Sequence, residues 1–132
     1  MTTRASGAFE VKVAPLTLAS ADETRGRFSL DKQFQGDLTG GGQGEMLTAV
    51  GVVQGSAVYV AVERVNGTLH GRSGAFALHH TGIMTRGAQQ LTITIVPDSG
   101  SEQLEGIAGT MSISISDGKH FYELDYTLPT SQ

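Results

Sequence analysis

The chain of 132 residues has the length of a single domain, 1–132, and is long enough to build a core without disulfide or metal staples. With 39% hydrophobic and 17% charged residues it is not a disordered polyelectrolyte, and without cysteine it has no disulfide framework, thiolate nucleophile or cysteine-ligated zinc. A formal charge of −4 with only 9 Lys and Arg leaves no cationic footprint for nucleic acid, and the 18 glycines lack the three-residue period of collagen.

Apolar and polar residues alternate with period two along most of the chain, and helical periodicity is nearly absent, so the pattern predicts strands. The first, Gly7–Val13, alternates through Phe9-Glu10-Val11-Lys12-Val13. Its two charges interrupt the apolar run that a secretory signal requires. The connection from Ala14 to Thr24 has room for one helical turn over Ala19–Glu23. Strands Arg25–Phe34 and Gly44–Gly51 follow, with Gly40-Gly41-Gly42 between them read as a loop at the rim of the sheet. After a Gln54-Gly55 turn comes Ala57–Val65. Asn66-Gly67 then predicts a two-residue type I′ hairpin into Thr68–His80, because both central positions of that turn need φ > 0. Gln89–Val96 leads into the turn Pro97-Asp98-Ser99-Gly100. The last two strands, Leu104–Ser116 and Lys119–Leu128, flank a second hairpin signal at Asp117-Gly118.

One apolar and one polar face per strand is the mark of an antiparallel sheet, and the gaps are too short for crossover helices. Eight sequentially joined strands leave open edges unless the sheet closes. The expected fold is therefore all-β, an eight-stranded antiparallel closed or nearly closed barrel. A short internal repeat, Leu69-x-Gly71-x-x-Gly74 and Leu104-x-Gly106-x-x-Gly109, places glycines where a long strand bends at a barrel corner. No stretch approaches the ~20 apolar residues of a membrane-spanning helix, and 6% aromatics without Trp give no aromatic girdles, so a cytoplasmic protein with no membrane partner is expected.

A turn at Asn66-Gly67 would pair Glu63 with His70, Ala61 with Arg72, and Tyr59 with Gly74, all on one face. Tyr59 would then cover a glycine, a stabilising pairing in sheets. Glu63, His70 and Arg72 would meet across the hairpin, and the same parity continues to Phe76, Leu78 and His80. Facing inward, this group would form a polar cluster in a partly apolar lumen; facing outward, it would be a solvated patch. Tyr126 alternates with Leu124 and Leu128 and reads first as a core tyrosine.

Other motifs carry less. His79 and His80 point to opposite faces and His70 lies far from His80 along an extended strand, so no metal site is expected. Gly71-Arg72-Ser73-Gly74-Ala75 echoes a nucleophile elbow but continues as a strand rather than opening a helix. Gly40-Gly41-Gly42-Gln43-Gly44 lacks the Lys-Ser/Thr of a phosphate loop, and no dinucleotide fingerprint occurs, so no cofactor is expected.

Three segments together resemble an uncharacterised bacterial domain-of-unknown-function family with an allene oxide cyclase-like barrel. They are the block from Tyr59 to His80, containing Glu63-Arg64 and Gly67-Thr68-Leu69-His70-Gly71-Arg72-Ser73-Gly74-Ala75-Phe76; the stretch from Val96-Pro97-Asp98-Ser99-Gly100 to Gly109-Thr110; and Gly118-Lys119-His120-Phe121-Tyr122-Glu123-Leu124-Asp125-Tyr126. Ser101-Glu102-Gln103 departs from that pattern within a loop. The resemblance implies an eight-stranded barrel with a cavity, an oligomer, and Tyr59, Glu63, Arg72, Phe76 and His80 looking inward. It supplies no reaction, and shared fold is no warrant for shared chemistry.

Three functional readings follow. The first is a barrel that binds a small apolar or amphipathic molecule, with Tyr59, Glu63, His70, Arg72, Phe76, His80 and Tyr126 as candidate ligand contacts. The second is an isomerase or cyclase with Glu63 as proton-transfer group, which requires a raised Glu63 pKa. The third is a solidly packed structural module that buries the row Val58-Val60-Val62 in a homo-oligomer.

Overall fold

The computed structural model describes residues 2–20 and 22–129. Among the described residues nine strands occur in chain order: β1 (Thr3–Pro15), β2 (Arg25–Gly36), β3 (Leu38–Val50), β4 (Ala57–Leu69), β5 (Arg72–Thr85), β6 (Ala88–Ile95), β7 (Ser101–Glu102), β8 (Ala108–Ser116) and β9 (Lys119–Thr127). All pairings are antiparallel, and eight strands run in the order β4-β3-β2-β1-β9-β8-β6-β5, with β4 paired to β5 to close the ring. The two-residue β7 adds to β5 at Gly74 and Ala75. The expected eight-stranded closed barrel is what forms. No helix among the described residues is long and apolar enough to cross a membrane.

Alternation decides which residues enter the lumen. Even positions of β2 (Leu30, Lys32, Phe34), odd positions of β4 (Ala61, Glu63, Val65) and even positions of β5 (Phe76, Leu78, His80) are buried, while Val58, Val60 and Val62 are exposed on the outer face. One end of the barrel is packed solid by Leu38, Leu69, Phe76, Tyr122 and Tyr126, with Leu104 and Ile107 from the 101–107 turn plugging it. Hydrogen bonds from Gln103 N–H to the Ser73 carbonyl and from Ser73 N–H to Gln103 Oε1 hold that plug in place.

Several boundaries differ from the sequence pattern. Asn66-Gly67 is not a turn: β4 runs on to Leu69, and the hairpin turns at His70-Gly71, with φ of 48° and 82°. Extending β4 keeps Val65 and Leu69 buried on one face and gives it thirteen pairs with β3. Gly67 instead serves close approach. It pairs with Gly40 on one side and Gly74 on the other, and a Cβ there would overlap the Thr39 carbonyl. The Gly40-Gly41-Gly42 segment is likewise not a loop but part of β3 near its start, paired with Phe34, Gln33 and Lys32. Leu104 belongs to the plug, and the strand expected from there begins at Ala108. The helical turn expected over Ala19–Glu23 includes Ala21, which lies outside the described residues; the described members form bends and a turn. Both copies of the internal repeat do the same job at the packed end: Leu69 and Leu104 are buried, and Gly71 and Gly106 each carry φ of 82° beside them.

The tight β2–β3 connection is fastened by a side chain from the far side of the sequence. The buried Tyr122 hydroxyl accepts the Leu38 N–H at 2.9 Å and faces the carbonyls of Gln35 at 2.8 Å and Leu38 at 3.0 Å. Tyr122→Phe strands the buried Leu38 N–H, and a loss of about 1–3 kcal/mol in urea denaturation is expected, with the barrel retained.

Candidate functional site

β2, β4 and β5 bring three ionisable side chains together in the lumen. Glu63 lies on the inward face of β4, and its fully buried carboxylate receives Lys32 Nζ from β2 at 2.8 Å and His80 Nε2 from β5 at 2.6 Å, both on Oε2. The imidazole N–H donates to the carboxylate. All three residues are at most 4% exposed. Lys32 is further wrapped by the rings of Phe9 and Phe34, 5.2 and 6.0 Å from Nζ. Gly42 of β3 faces the carboxylate, where an ideal Cβ would stand 2.9 Å from Oε1. Its hydrogen leaves the carboxylate room that a side chain would take.

Burial alone pushes the Glu63 pKa up and is the largest single influence. The hydrogen bond from His80 and the charge and hydrogen bond of Lys32 together outweigh it, so the carboxyl sits below its ordinary value. Glu63 is therefore held as a carboxylate. Its Oε1 has no hydrogen-bond partner among the described residues, an unsatisfied polar atom sealed in the lumen.

Towards the other end, the lumen opens. Tyr59 lies two residues beyond Ala61 on the same inward face, its ring 6.4 Å from that of His80. The ring rests on its cross-strand partner Gly82, where any Cβ would overlap it. An aromatic thus covers a glycine, as expected, but the glycine is Gly82 and not Gly74. Burial, with the nearby Glu63 charge, raises the Tyr59 pKa. Above Tyr59 an open cavity of about 610 Å³ occupies the barrel mouth. Its walls are Val13, Phe28, Met46, Val50, Ala57, Val58, Ile83, Met84 and Leu91, with Thr48, Tyr59, Gln89 and Gln90 as the polar groups and no charged side chain.

The seven residues singled out from sequence divide into separate groups. Tyr59, Glu63 and His80 share the lumen. Phe76 is a fully buried core residue in the packed half. His70 sits at the hairpin turn, where Nδ1 meets the Tyr126 hydroxyl at 2.6 Å and Nε2 lies 3.6 Å from Asp37 Oδ2. Burial raises the Tyr126 pKa, the nearby Arg72 charge opposing and Asp37 adding. Arg72 is exposed beside that turn. The expected Glu63–His70–Arg72 cluster does not form, because moving the turn by four residues sets Glu63 opposite Leu78. Parity survives the shift, so Tyr59, Glu63, Phe76 and His80 do share one face, and that face points inward as the resemblance implied, whereas His70 and Arg72 fall at the exposed turn.

Lys32 was not among the expected site residues. Its signal is its place at an inward position, flanked by Leu30 and Phe34 in the alternation Phe28-x-Leu30-x-Lys32-x-Phe34. Among the described residues no group of three or more His, Asp or Glu could hold a metal ion. Chemically, the buried array anchors and orients more readily than it turns over. Neither Glu63, His80 nor Lys32 lines the mouth cavity. The raised Glu63 pKa required for an isomerase is replaced by a lowered one.

A family model described as a protein of unknown function, DUF3224, matches residues 5–126. The crystal structure of a protein of unknown function from the DUF3224 family of Shewanella oneidensis MR-1 is 45% identical to this chain. It superposes with a TM-score of 0.94, and the match covers 99% of this chain and 100% of that one. No curated protein matches the chain. These matches agree with the resemblance to a domain-of-unknown-function family and make no link to allene oxide cyclases.

Proposed function

The chain belongs to the DUF3224 family, and we propose that its barrel binds a neutral, mainly apolar small molecule at the open mouth. The observation that carries this reading is the cavity of about 610 Å³ with apolar walls, four polar side chains and no charge. Ligand sites of roughly 300–1,000 Å³ are commonly apolar with a few placed polar groups. An ionised headgroup would find no counter-charge on these walls and would lose its hydration there. A ligand with one carbonyl or hydroxyl fits, with Tyr59 at the inner wall and Gln89 at the rim as its polar contacts.

The packed half of the barrel supports the same division of labour. Phe76 and Tyr126 fill that end, so a ligand enters from the mouth and stops at Tyr59. Beneath it the Lys32–Glu63–His80 array holds β2, β4 and β5 in register and backs the wall on which Tyr59 stands.

A neutral fluorescent probe, phenylnaphthylamine, tests the reading. The wild-type protein is expected to bind it with one saturable site. Ala57→Arg, which sets a charge in the mouth, is expected to weaken binding at least about tenfold, or about 1.4 kcal/mol. Val52→Arg, on the exposed loop outside the cavity, leaves it unchanged. Equal binding by all three proteins, or none by the wild type, overturns the proposal.

A further inference from the structure

The outer face of β3, β4 and β5 carries an apolar patch that the lumen does not explain. Leu47, Val58, Val60, Val62 and Ile83 are 42–58% exposed. The register makes them contiguous: Leu47 lies beside Val60, and Val58 beside Ile83. A shallow groove of about 480 Å³ runs over the patch between Leu47, Val60 and Val62, bordered by Arg27 and Glu45. These five residues leave on the order of 400 Å² open, the size of the largest apolar patch on a typical monomer, which is often functional, and about half of one side of a standard interface.

We propose that this face binds a second copy of the chain, stacked with its β4 antiparallel to the first. The charges beside the patch select that arrangement. On the outward positions of β2 and β3, Arg25 and Arg27 sit towards one end and Asp31 and Glu45 towards the other. An isologous interface places each patch on its own inverted image. A two-fold axis crossing β4 between Val60 and Val62 lays Val60 on the partner's Val62. The same rotation lays Arg25 on the partner's Asp31 and Arg27 on the partner's Ser29, one strand from the partner's Glu45, which faces Leu47 and is within reach of the Arg27 side chain. Within one copy Arg27 already reaches Glu45 at 2.8 Å, so the stacked pair would form a four-membered ring of alternating charge at the edge of the valines. A parallel stack would instead lay the Arg64 of each copy on that of the other, a like-charge contact on the same row, whereas the antiparallel stack sets each Arg64 across the partner's Val58. The patch meets the rim of the mouth cavity at Val58 and Ile83, which also line it, whereas Leu47, Val60 and Val62 lie outside it.

Sedimentation velocity tests the proposal on the full chain. The wild type is expected at twice the mass of the 13.8 kDa chain. Val60→Asp with Val62→Asp is expected to sediment as a monomer with unchanged circular dichroism, because both positions point outward. Arg27→Glu alone and Glu45→Arg alone each set like charges against each other in a homodimer, and each is expected to be monomeric. Mixed in equal amounts, these two variants restore opposite charges at both contacts and are expected to recover the dimer. A monomeric wild type, a dimer that survives the double aspartate variant, or a mixture that stays monomeric overturns it.

Discussion

Glu63→Gln is expected to lower stability by about 3–5 kcal/mol, read as a fall in Tm on the order of 10–20 °C. The substitution keeps the shape of the side chain and a hydrogen-bond acceptor for His80. It removes the carboxylate that Lys32 touches, and Lys32 is 4% exposed beneath two aromatic rings. An ammonium stranded there loses its hydration without a counter-charge. The cost therefore comes from the charge left behind more than from the bond lost. Lys32→Met combined with Glu63→Gln tests that origin. With the charge gone, the double variant is expected to recover most of the loss, since buried ion pairs are commonly replaceable by matched apolar groups. A double variant as unstable as Glu63→Gln alone would show that the loss comes from packing.

The same group sets an acid limit. The folded-state pKa of Glu63 lies below its ordinary 4.5, so its contribution is fully present above that value and is lost as the pH falls through the folded value. The stability gap between wild type and Glu63→Gln is therefore expected to be widest near neutral pH and to close in acid, where the wild type also carries an uncharged group at this position. Denaturant midpoints at several pH values read this directly, and a gap independent of pH would contradict it.

How much of this was legible in the sequence depends on which physical signal carried it. Period-two alternation is local, and it correctly grouped Tyr59, Glu63 and His80 on one face and Val58, Val60 and Val62 on the other, while leaving open which of the two points into the barrel. Closure was legible from the number of strands and the absence of crossovers. Register was not, because it depends on which of two glycine-bearing dipeptides forms the turn. Asn66-Gly67 and His70-Gly71 are four residues apart and leave parity the same, so nothing in the alternation separates them. What separates them is β3, a strand whose glycines look like a loop until their neighbours are known. The Lys32–Glu63–His80 array joins three strands, and a lysine between Leu30 and Phe34 gains a partner only when the barrel closes. The mouth cavity is still less local: it lies above Tyr59, whose ring rests on Gly82, at the end of the barrel opposite the plug of Leu104 and Ile107.

Gly67→Ala is expected to cost about 3–4 kcal/mol, towards the upper end for one added methyl group in a packed region. The new Cβ would meet the Thr39 carbonyl and the Cα of Gly40, both backbone atoms of β3. No rotamer change relieves such a contact. The strands must separate where Gly40, Gly67 and Gly74 stand side by side, and that row lies next to the buried Leu38–Leu69 pair at the packed end. Asn66→Ala supplies the contrast. Its side chain points outward and is exposed, and in an extended strand its loss is expected to matter by no more than about 0.5 kcal/mol. Were Asn66-Gly67 a type I′ turn, the ordering would change, because asparagine supports φ > 0 at the first central position and alanine does not. Both substitutions would then be costly. A large loss at Gly67 with almost none at Asn66 is the signature of a glycine chosen for the approach of two strands, and urea midpoints of the two variants separate the alternatives.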